Sequence, residues 1–408
     1  MARDVLVFNA GSSSVKYQLI GLEQRERLAT GLVGRIGENA AGELTHRPAQ
    51  GSPYEVRDRF ADHAQALDAI LAAFKASGPD LAGTDLVAVG HRVVHGGDRF
   101  DQPTLIDDAV LADIRELTAL APLHNPANAT GIEVARKAFP DVPHIAVFDT
   151  AFHRTLPPAA YTYAVPREWR DRYSLRRYGF HGTSHQYVAR QAARLLGKAP
   201  QETNLIVLHL GNGASACAVE GGRSVETSMG LTPLEGLVMG TRSGDLDPAV
   251  PAYLERVAGF DAKRIDHALN QESGLLALTG SNDLRDVGRA RENGDADARL
   301  AIDVYCHRIR KYIGAYYAVL GRVDAVVFTA GVGENDDLVR GLALRGLERL
   351  GIAVDEQRNR AAGSGERFIS PEGAEVPVLV VPTDEELEIA EQAVAVASGS
   401  RQHNAEDA

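Results

Sequence analysis

Cysteine is scarce in this sequence of 408 residues, and long apolar runs are absent. Its two cysteines, Cys217 and Cys306, do not have the spacing of metal ligands and are too few for a disulfide framework. No apolar run reaches the roughly 20 residues that a membrane-spanning helix requires. The chain enters a predicted strand almost at once, without a charged and then apolar leader. We therefore expect a protein of the reducing cytoplasm that does not associate with a membrane.

Positive charge is also in short supply. The chain has 43 Lys and Arg against 55 Asp and Glu, which gives a formal net charge of −12. Nucleic-acid binders are usually basic, so this class of partner is excluded. An anionic substrate must instead be held by a local cluster of cations. With 44% hydrophobic residues there is ample material for a core, and the length predicts two domains.

A Walker A phosphate loop is the third absence, because the first glycine-bearing turn lacks the GxxxxGK[ST] spacing. In its place, residues 9–16 connect two β-like runs, residues 5–8 and 15–20, and Gly11 permits a tight bend. Main-chain N–H groups in such a turn point at an anion, and its serines and lysine add donors and charge. The turn is either a phosphate loop or an ordinary hairpin turn.

A second turn of the same layout lies in the other half of the chain. Residues 205–210 are the most strand-like run, and they lead through the glycine-rich residues 211–215 into a further β-like run, residues 216–219. Two hairpins of one design indicate two halves built on one plan that face each other across a cleft. Each half would then offer one phosphate-binding turn.

Charged side chains follow two buried runs that we predict to be strands. Arg92 comes just after residues 86–90, and Asp149 comes directly after residues 145–148. Ligands of α/β sheets bind at this end of the strands, and an arginine can hold a carboxylate or phosphate with two parallel hydrogen bonds. The alternatives are a surface arginine and a carboxylate that caps a turn or helix.

Glycine-rich loops carry two further candidates. His181 lies between Gly179 and Gly182, so its loop can place the imidazole against a ligand, although a structural histidine is the alternative. Arg242 stands near the end of the apolar, glycine-rich residues 232–245 and would oppose Arg92, with a surface arginine as the alternative.

Two later turns follow predicted strands. Residues 330–335 would let a ring or a ribose lie close to the backbone, or they merely connect a strand to a helix. Glu385 opens the last predicted helix, where it either complements the helix dipole or holds Mg²⁺. Apolar periodicity predicts the other helices over residues 62–74, 107–120, 127–138, 183–196, 248–257, 262–269 and 296–320. The last helix is expected to end near residue 397, with a frayed tail from Ser398 onward.

Taken together, the motifs resemble those of the acetate kinase family, within the superfamily of acetate and sugar kinases, heat-shock ATPases and actin. They lie in order at residues 9–16, 91–97, 180–185, 209–215, 232–244, 328–335 and 382–386. The resemblance implies an α/β fold of duplicated ribonuclease H-like, actin-like ATPase domains, each with a βββαβαβα core, and a nucleotide cleft between them. It implies domains at 1–149 plus 386–408 and at 150–385, and a homodimer.

The resemblance also implies a reaction and its residues. The reaction is ATP + acetate ⇌ ADP + acetyl phosphate, by direct in-line transfer with Mg²⁺, which Mn²⁺ can replace. The implied catalytic residues are Asp149, Arg92, Arg242, His181 and Asn212, and the acetate site consists of Arg92, Val94, Leu123, Phe180 and Pro233. The implied nucleotide residues are Ser12, Ser14, Lys16, His209, Leu210, Gly211, Asn212, Gly213, Asp283, Leu284, Arg285, Gly331, Val332, Gly333, Glu334 and Asn335. Asn9 and Glu385 would hold the metal.

One position departs from the family pattern, because Asp384 stands where an asparagine is common, and it adds negative charge near the metal. A carboxylate acceptor needs no general base at neutral pH, so Asp149 is expected to orient Arg242 or a metal-bound water. Two alternatives remain open. A propionate or butyrate kinase would differ only in the volume of the acid pocket. An actin-like conformational switch would hydrolyse ATP without an acceptor and would not need Arg92 and Arg242.

Overall fold

The structure is a computed structural model that describes residues 3–361, 363 and 365–406, with side chains as far as residue 399. Internal contacts divide the chain into two compact units, Met1–Ala151 with Asp384–Ala408, and Phe152–Thr383. We call them the first and the second unit. Nowhere in the described part of the chain is a helix long and apolar enough to cross a membrane.

The first unit is built on a mixed sheet. Its elements are β1 (Asp4–Ala10), β2 (Ser14–Gly21), β3 (Glu26–Gly34), β4 (Gly42–Pro48), β5 (Tyr54–Asp58), α1 (His63–Ser77), β6 (Leu86–Val93), β7 (Thr104–Leu105), α2 (Asp108–Glu116), α3 (Asn125–Ala138) and β8 (His144–Phe148). The strand order is β5-β4-β3-β2-β1-β6-β8-β7. Strands β1 to β5 form an antiparallel meander, and β6 and β8 run parallel to β1. Nearly every residue of β1 is buried, as expected for a central strand covered on both faces.

The second unit repeats this plan. Its elements are α4 (Pro158–Tyr161), α5 (Arg167–Tyr173), α6 (Gly182–Leu195), β9 (Asn204–Leu210), β10 (Ala214–Glu220), β11 (Arg223–Thr227), α7 (Val250–Ala258), α8 (Ala262–Gln271), α9 (Gly274–Thr279), α10 (Leu284–Glu292), α11 (Ala296–Leu320), β12 (Ala325–Thr329), α12 (Ala330–Asn335), α13 (Asp337–Leu344), α14 (Glu356–Arg360), β13 (Arg367–Phe368) and β14 (Val378–Val380). Short 3-10 turns lie at Leu81–Gly83, Leu117–Ala119, Ala151–Thr155, Pro200–Glu202 and Glu348–Leu350. The strand order is β11-β10-β9-β12-β14-β13, with β12 parallel to both β9 and β14.

Both sheets therefore contain the same five-strand core, in which a three-stranded meander is followed by two parallel strands. This order confirms the predicted duplication and the actin-like fold class. Residues 11–13 connect β1 to β2, and residues 211–213 connect β9 to β10, so the two glycine-bearing turns occupy equivalent positions. We call them the first turn and the second turn.

The last helix, α15 (Glu385–Glu406), belongs to the first unit, although it follows β14 in sequence. It packs on the sheet so closely that a methyl group built on Gly90 of β6 would lie 2.8 Å from Cγ2 of Ile389. The helix continues to Glu406, so its predicted end near residue 397 is wrong, and the fraying expected from Ser398 onward stays a prediction. Residues 407–408 lie outside the described residues. The two units are defined by contacts within the chain. The boundaries of the functional domains therefore stay a prediction.

Candidate active site

In the first unit, Arg92 is the centre of a cluster of polar and charged side chains. Its Nε donates to Oδ1 of Asp149 at 3.1 Å, and its Nη2 donates to Oδ2 of the same carboxylate. Its Nη1 donates to Oδ1 of Asn9 at 3.4 Å, and Nε lies 3.9 Å from Oε2 of Glu385. Strand β6 runs on to Val93, so Arg92 lies within the strand and not beyond its end as the sequence predicts.

The charges of this cluster shift the titration of its members. Burial lowers the pKa of Arg92, but the carboxylates of Asp149 and Glu385 outweigh that effect and hold it above its ordinary value. Burial raises the pKa of Glu385 to about 7, an effect that Arg92 opposes and Asp149 and Glu386 reinforce. Glu386 accepts a hydrogen bond from Nζ of Lys16, the predicted cation of the first turn. The cluster therefore holds more negative charge than Arg92 alone offsets.

This donor set suits a magnesium ion. Asn9, Asp149 and Glu385 offer the hard oxygen atoms that Mg²⁺ prefers, and all three lie around Arg92. The described residues do not contain three or more His, Cys, Asp or Glu side chains already arranged around one point for a metal. Mg²⁺ does not require such a cage, because it is usually held by one or two carboxylates, water and substrate phosphates.

Asp384, the residue that departs from the family pattern, is engaged by neighbours. Its Oδ2 accepts a hydrogen bond from Nη2 of Arg27 at 2.6 Å. Its Oδ1 accepts the main-chain N–H of Leu387 at 3.1 Å, which caps the first turn of α15. An asparagine would keep the cap but lose the ion pair, so Arg27 offsets the extra negative charge that the aspartate introduces.

The first turn is supported by residues that the sequence reasoning missed. Nδ2 of Asn128 donates to the main-chain oxygen of Ala10 at 2.7 Å, while its Oδ1 accepts the N–H of Val94 at 3.1 Å. His63 hydrogen-bonds through Nε2 to the main-chain oxygen of Gly11 at 2.8 Å. Asn128 is buried within α3 and so links the turn to the end of β6. A buried asparagine in a helix gives no sequence signal of such a link.

The predicted acetate-site residues divide between the units. In the first unit Val94 is buried, whereas Leu123 exposes 64% of its surface. In the second unit Phe180 is buried and Pro233 is half-buried. Ser12 of the first turn is exposed and Ser14 is partly buried. The gathering of the four apolar residues around one methyl group stays a prediction.

In the second unit, His181 lies beside the second turn. It is the N-cap of α6 and has a left-handed backbone, with φ of 57°, a conformation that is uncommon outside glycine and tends to occur at functional sites. Its Nδ1 lies 2.9 Å from Oγ of Ser215, and its ring stacks on His209 with 4.1 Å between centroids. A methyl group built on Gly213 would lie 3.5 Å from Nε2 of His181 and 3.6 Å from Nη1 of Arg242. His181 and Arg242 thus flank the same turn.

Arg242 differs from Arg92 in its electrostatics. Burial lowers the pKa of Arg242, and no carboxylate in the described part of the chain opposes this effect. Within the described residues, its side-chain contact is a weak hydrogen bond from Nη1 to Sδ of Met239 at 3.8 Å. A partly buried guanidinium whose charge is not offset is poised to stabilise an anion brought close to it.

A cavity of about 720 Å³ opens beside the second turn, within the second unit. Such a volume is in the range of small-molecule sites. The predicted nucleotide residues that line it are Gly211, Asn212, Asp283, Leu284, Arg285, Gly331, Val332 and Asn335. The predicted residues His209, Leu210, Gly213, Gly333 and Glu334 are not in this lining. Gly333 is buried, and its carbonyl accepts a hydrogen bond from Arg340.

One wall of this cavity is α10, which the periodicity analysis missed. Asp283, predicted as a nucleotide residue, is the N-cap of this helix and accepts the N–H of Arg285 at 2.9 Å. The side chain and N–H of Arg285 both lower the pKa of Asp283, to about 2. The helix also contributes Gly288, Arg289 and Glu292 to the lining. In the sequence, the start of this helix is indicated by Asp283, which is a common N-cap residue and is followed by a polar run.

The two repeated sheets and their turns define the class of protein, an α/β protein of the actin-like ATPase fold. Residues 4–391 match the profile of the Acetokinase family. An acetate kinase of Streptomyces coelicolor is 59% identical over 396 residues, which is 97% of this chain and 97% of that protein. An acetate kinase of Clavibacter michiganensis is 60% identical over 395 residues, covering 97% of this chain and 99% of the relative.

Solved structures give the same result. The crystal structure of Porphyromonas gingivalis acetate kinase superposes with a TM-score of 0.92 at 41% identity, covering 97% of this chain and 100% of that one. A propionate kinase from Francisella tularensis superposes with a TM-score of 0.89, also at 41% identity, covering 96% and 99%. The chain belongs to the acetokinase family. The resemblance read from the sequence, the fold class and the assignment to the kinases are therefore confirmed.

Proposed function

We propose that this chain is an Mg²⁺-dependent acetate kinase that transfers the γ-phosphoryl group of ATP reversibly to acetate, giving ADP and acetyl phosphate. The observation that carries the proposal is Arg242, a partly buried guanidinium that lies beside the same turn as His181 and whose charge no carboxylate of the described residues offsets. Such an arrangement is suited to a group that gains negative charge in the transition state.

Phosphoryl transfer to a carboxylate needs little covalent help from the protein. Its transition state is loose, with negative charge spread over the equatorial oxygens. In this proposal Arg242 and His181 stabilise that charge, and Asn212 holds phosphate at the second turn. Arg92 binds the acetate carboxylate, while Asp149 fixes the orientation of its guanidinium through two hydrogen bonds. The expected role of Asp149 toward Arg242 or a metal-bound water stays a prediction beside this one.

Asn9 and Glu385 would hold the magnesium ion, with Mn²⁺ as a substitute. When bound, the metal neutralises the phosphate oxygens and orients them for in-line transfer. The nucleotide would enter the cavity of the second unit, with its adenosine against residues 283–285 and 331–335 and its phosphates toward the second turn. We further propose functional domains at 1–149 plus 386–408 and 150–385, a homodimer, and a cytoplasmic location where ATP is available.

The deciding experiment measures acyl phosphate directly. The protein is incubated with ATP, Mg²⁺ and hydroxylamine, which converts an acyl phosphate into a hydroxamate, and ADP is measured in the same samples. We expect hydroxamate and ADP in equal amounts, and both only when acetate is present. ADP release that is independent of acetate, without hydroxamate, would contradict the proposal and favour an actin-like switch.

Propionate kinase is a second candidate function, because the propionate kinase from Francisella tularensis is as similar in sequence as the solved acetate kinase. The same assay with acetate, propionate and butyrate in competition distinguishes them. If Val94 lines the acid pocket, Val94→Ala enlarges it and shifts the kcat/KM ratio toward propionate, by roughly 10- to 100-fold for a methylene worth about 1–3 kcal/mol. An unchanged ratio would remove Val94 from the pocket.

A further inference from the structure

The hydroxyl of Ser215 lies between two histidine rings in the second unit. Its Oγ is 2.9 Å from Nδ1 of His181 and 2.8 Å from Nε2 of His185. Ser215 and His185 are both fully buried, so water does not compete for these bonds. A hydroxyl has one proton and two lone pairs. If it accepted from both rings, its own buried proton would have no acceptor in this chain, so it donates to one ring and accepts from the other.

The free nitrogen of His185 fixes the direction of this chain. Its Nδ1 is buried and has no hydrogen-bond partner among the residues that the structure describes. If Nδ1 carried the proton, a buried N–H would be left unsatisfied, which costs about 1–3 kcal/mol and is rarer in proteins than an unused acceptor. Burial also lowers the pKa of His185 well below its ordinary value, so that the ring is neutral. The single proton of His185 therefore resides on Nε2.

The remaining assignments follow in order. Nε2–H of His185 donates to Oγ of Ser215, and the hydroxyl proton of Ser215 is then available for Nδ1 of His181. That nitrogen accepts, so the proton of a neutral His181 resides on Nε2. This atom lies beside Gly213 of the second turn, which Nη1 of Arg242 also approaches.

We propose that Ser215 and His185 are positioning residues that hold His181 in the tautomer with its proton on Nε2, so that it donates a hydrogen bond to the substrate anion. The catalytic consequence rests on the proposed function, whereas the tautomer itself does not. In this arrangement His181 acts as a hydrogen-bond donor beside Arg242 and not as a base, which agrees with an acceptor that is already deprotonated.

The first measurement uses the free protein without any substrate. Histidines are labelled with nitrogen-15, and the ring nitrogens are observed by long-range proton–nitrogen correlation. The His181 signals are identified by their loss in His181→Gly, a variant that tolerates the left-handed N-cap. We expect a protonated Nε2 and an unprotonated, hydrogen-bonded Nδ1. A proton on Nδ1 of His181 in the parent protein would overturn the proposal.

Variants then test the chain of hydrogen bonds. In Ser215→Ala the tautomers of His181 should mix, and kcat should fall roughly 10- to 100-fold, less than expected for outright loss of a catalytic donor, with both KM values within about twofold. The matched control is Ser228→Ala, which removes a buried hydroxyl whose one partner among the described residues is the main-chain N–H of Ala216. It should leave both the His181 spectrum and kcat unchanged.

A second pair of variants keeps the proposal testable if Ser215→Ala folds poorly. The amide nitrogen of glutamine reaches the position of Nε2, whereas asparagine reaches only that of Nδ1. His185→Gln should therefore retain most of the parent's kcat and keep the proton of His181 on Nε2. His185→Asn should retain neither. Identical His181 spectra in these two variants would overturn the proposed chain of hydrogen bonds. A confirmed tautomer with an unchanged kcat in Ser215→Ala would instead overturn the catalytic role proposed for His181.

Discussion

Replacing Arg92 with alanine should affect stability and catalysis together, because the arginine serves both. The Asp149 side chain is only 2% exposed, and in the variant its buried carboxylate loses the guanidinium that makes two hydrogen bonds to it. Removing one partner of a buried ion pair typically costs about 3–5 kcal/mol. We therefore expect the free energy of unfolding to fall by about 4 kcal/mol and kcat to fall by roughly 10²–10³-fold or more.

The companion variants separate the two effects. Asp149→Asn keeps an acceptor oxygen and leaves Arg92 in contact with Asn9 and Glu385, so it should cost only about 1–2 kcal/mol of stability. The double variant Arg92→Ala, Asp149→Ala should be less destabilised than the sum of the single alanine variants by about 1–3 kcal/mol. Arg99→Ala is the matched surface control, since its ion pairs with Asp113 and Glu116 are exposed and worth about 0–1 kcal/mol.

Urea unfolding followed by circular dichroism gives the stabilities, and the hydroxamate assay gives kcat. The reasoning is refuted if Arg92→Ala unfolds at the urea concentration of the parent protein. It is also refuted if the single and double variants are additive within about 0.5 kcal/mol, because residues that do not interact behave in that way.

Three further changes test the second unit. Gly240→Ala should raise the KM for ATP about tenfold or more, since its methyl group would overlap Oδ1 of Asn212, and a shift of about 1 Å in a binding group costs up to 10²-fold. Gly314→Ala, in α11 and outside the cavity lining, is the kinetic control, because its methyl group meets no atom within 4 Å. Arg340→Met should lower the urea midpoint, because three buried hydrogen bonds are lost, a cost of about 3 kcal/mol. Burial lowers the pKa of His153 to about 4, so its contribution to stability should be complete above pH 6.5 and lost as the pH falls from 6.5 to 4. Urea unfolding of the parent and of His153→Gln at pH 7.5 and 4.5 measures this contribution, because the parent should lose about 2–3 kcal/mol more than the variant; equal losses would contradict it.

The sequence predicts those elements whose ends are determined by neighbouring residues, such as helix caps and glycine-bearing turns. The long helix α11 begins and ends where its periodicity predicts, because Asp295 caps its start and Gly321 ends it. The two glycine-bearing turns could be located for the same reason, since each lies between two short apolar runs. Helix α10 was missed because it is short and highly charged, and its few buried residues, Leu284 and Val287, are too sparse to show a period.

Features that depend on distant parts of the chain could not be predicted in this way. The extension of β6 to Val93 comes from parallel pairing with β8, a strand formed much later in sequence. The contact of Ser215 with both His181 and His185 depends on how α6 packs beside β10. Arg92 and Asp149 were singled out separately, but nothing in their spacing indicates that one holds the other. The sequence is enough to single out these residues as site candidates. Only the structure shows which of them contact one another.

The return of α15 to the first sheet has a consequence for biosynthesis. The helix covers β6 at Gly90, and it brings Glu385 to Arg92, yet it is made only after the whole of Phe152–Thr383. At about 5–20 residues per second, the ribosome needs roughly 10 to 50 s for that insertion. During this interval, the apolar face of the first sheet that α15 later covers has no helix packed on it. The residues that would bind the metal therefore cannot assemble during translation until the final helix has left the exit tunnel.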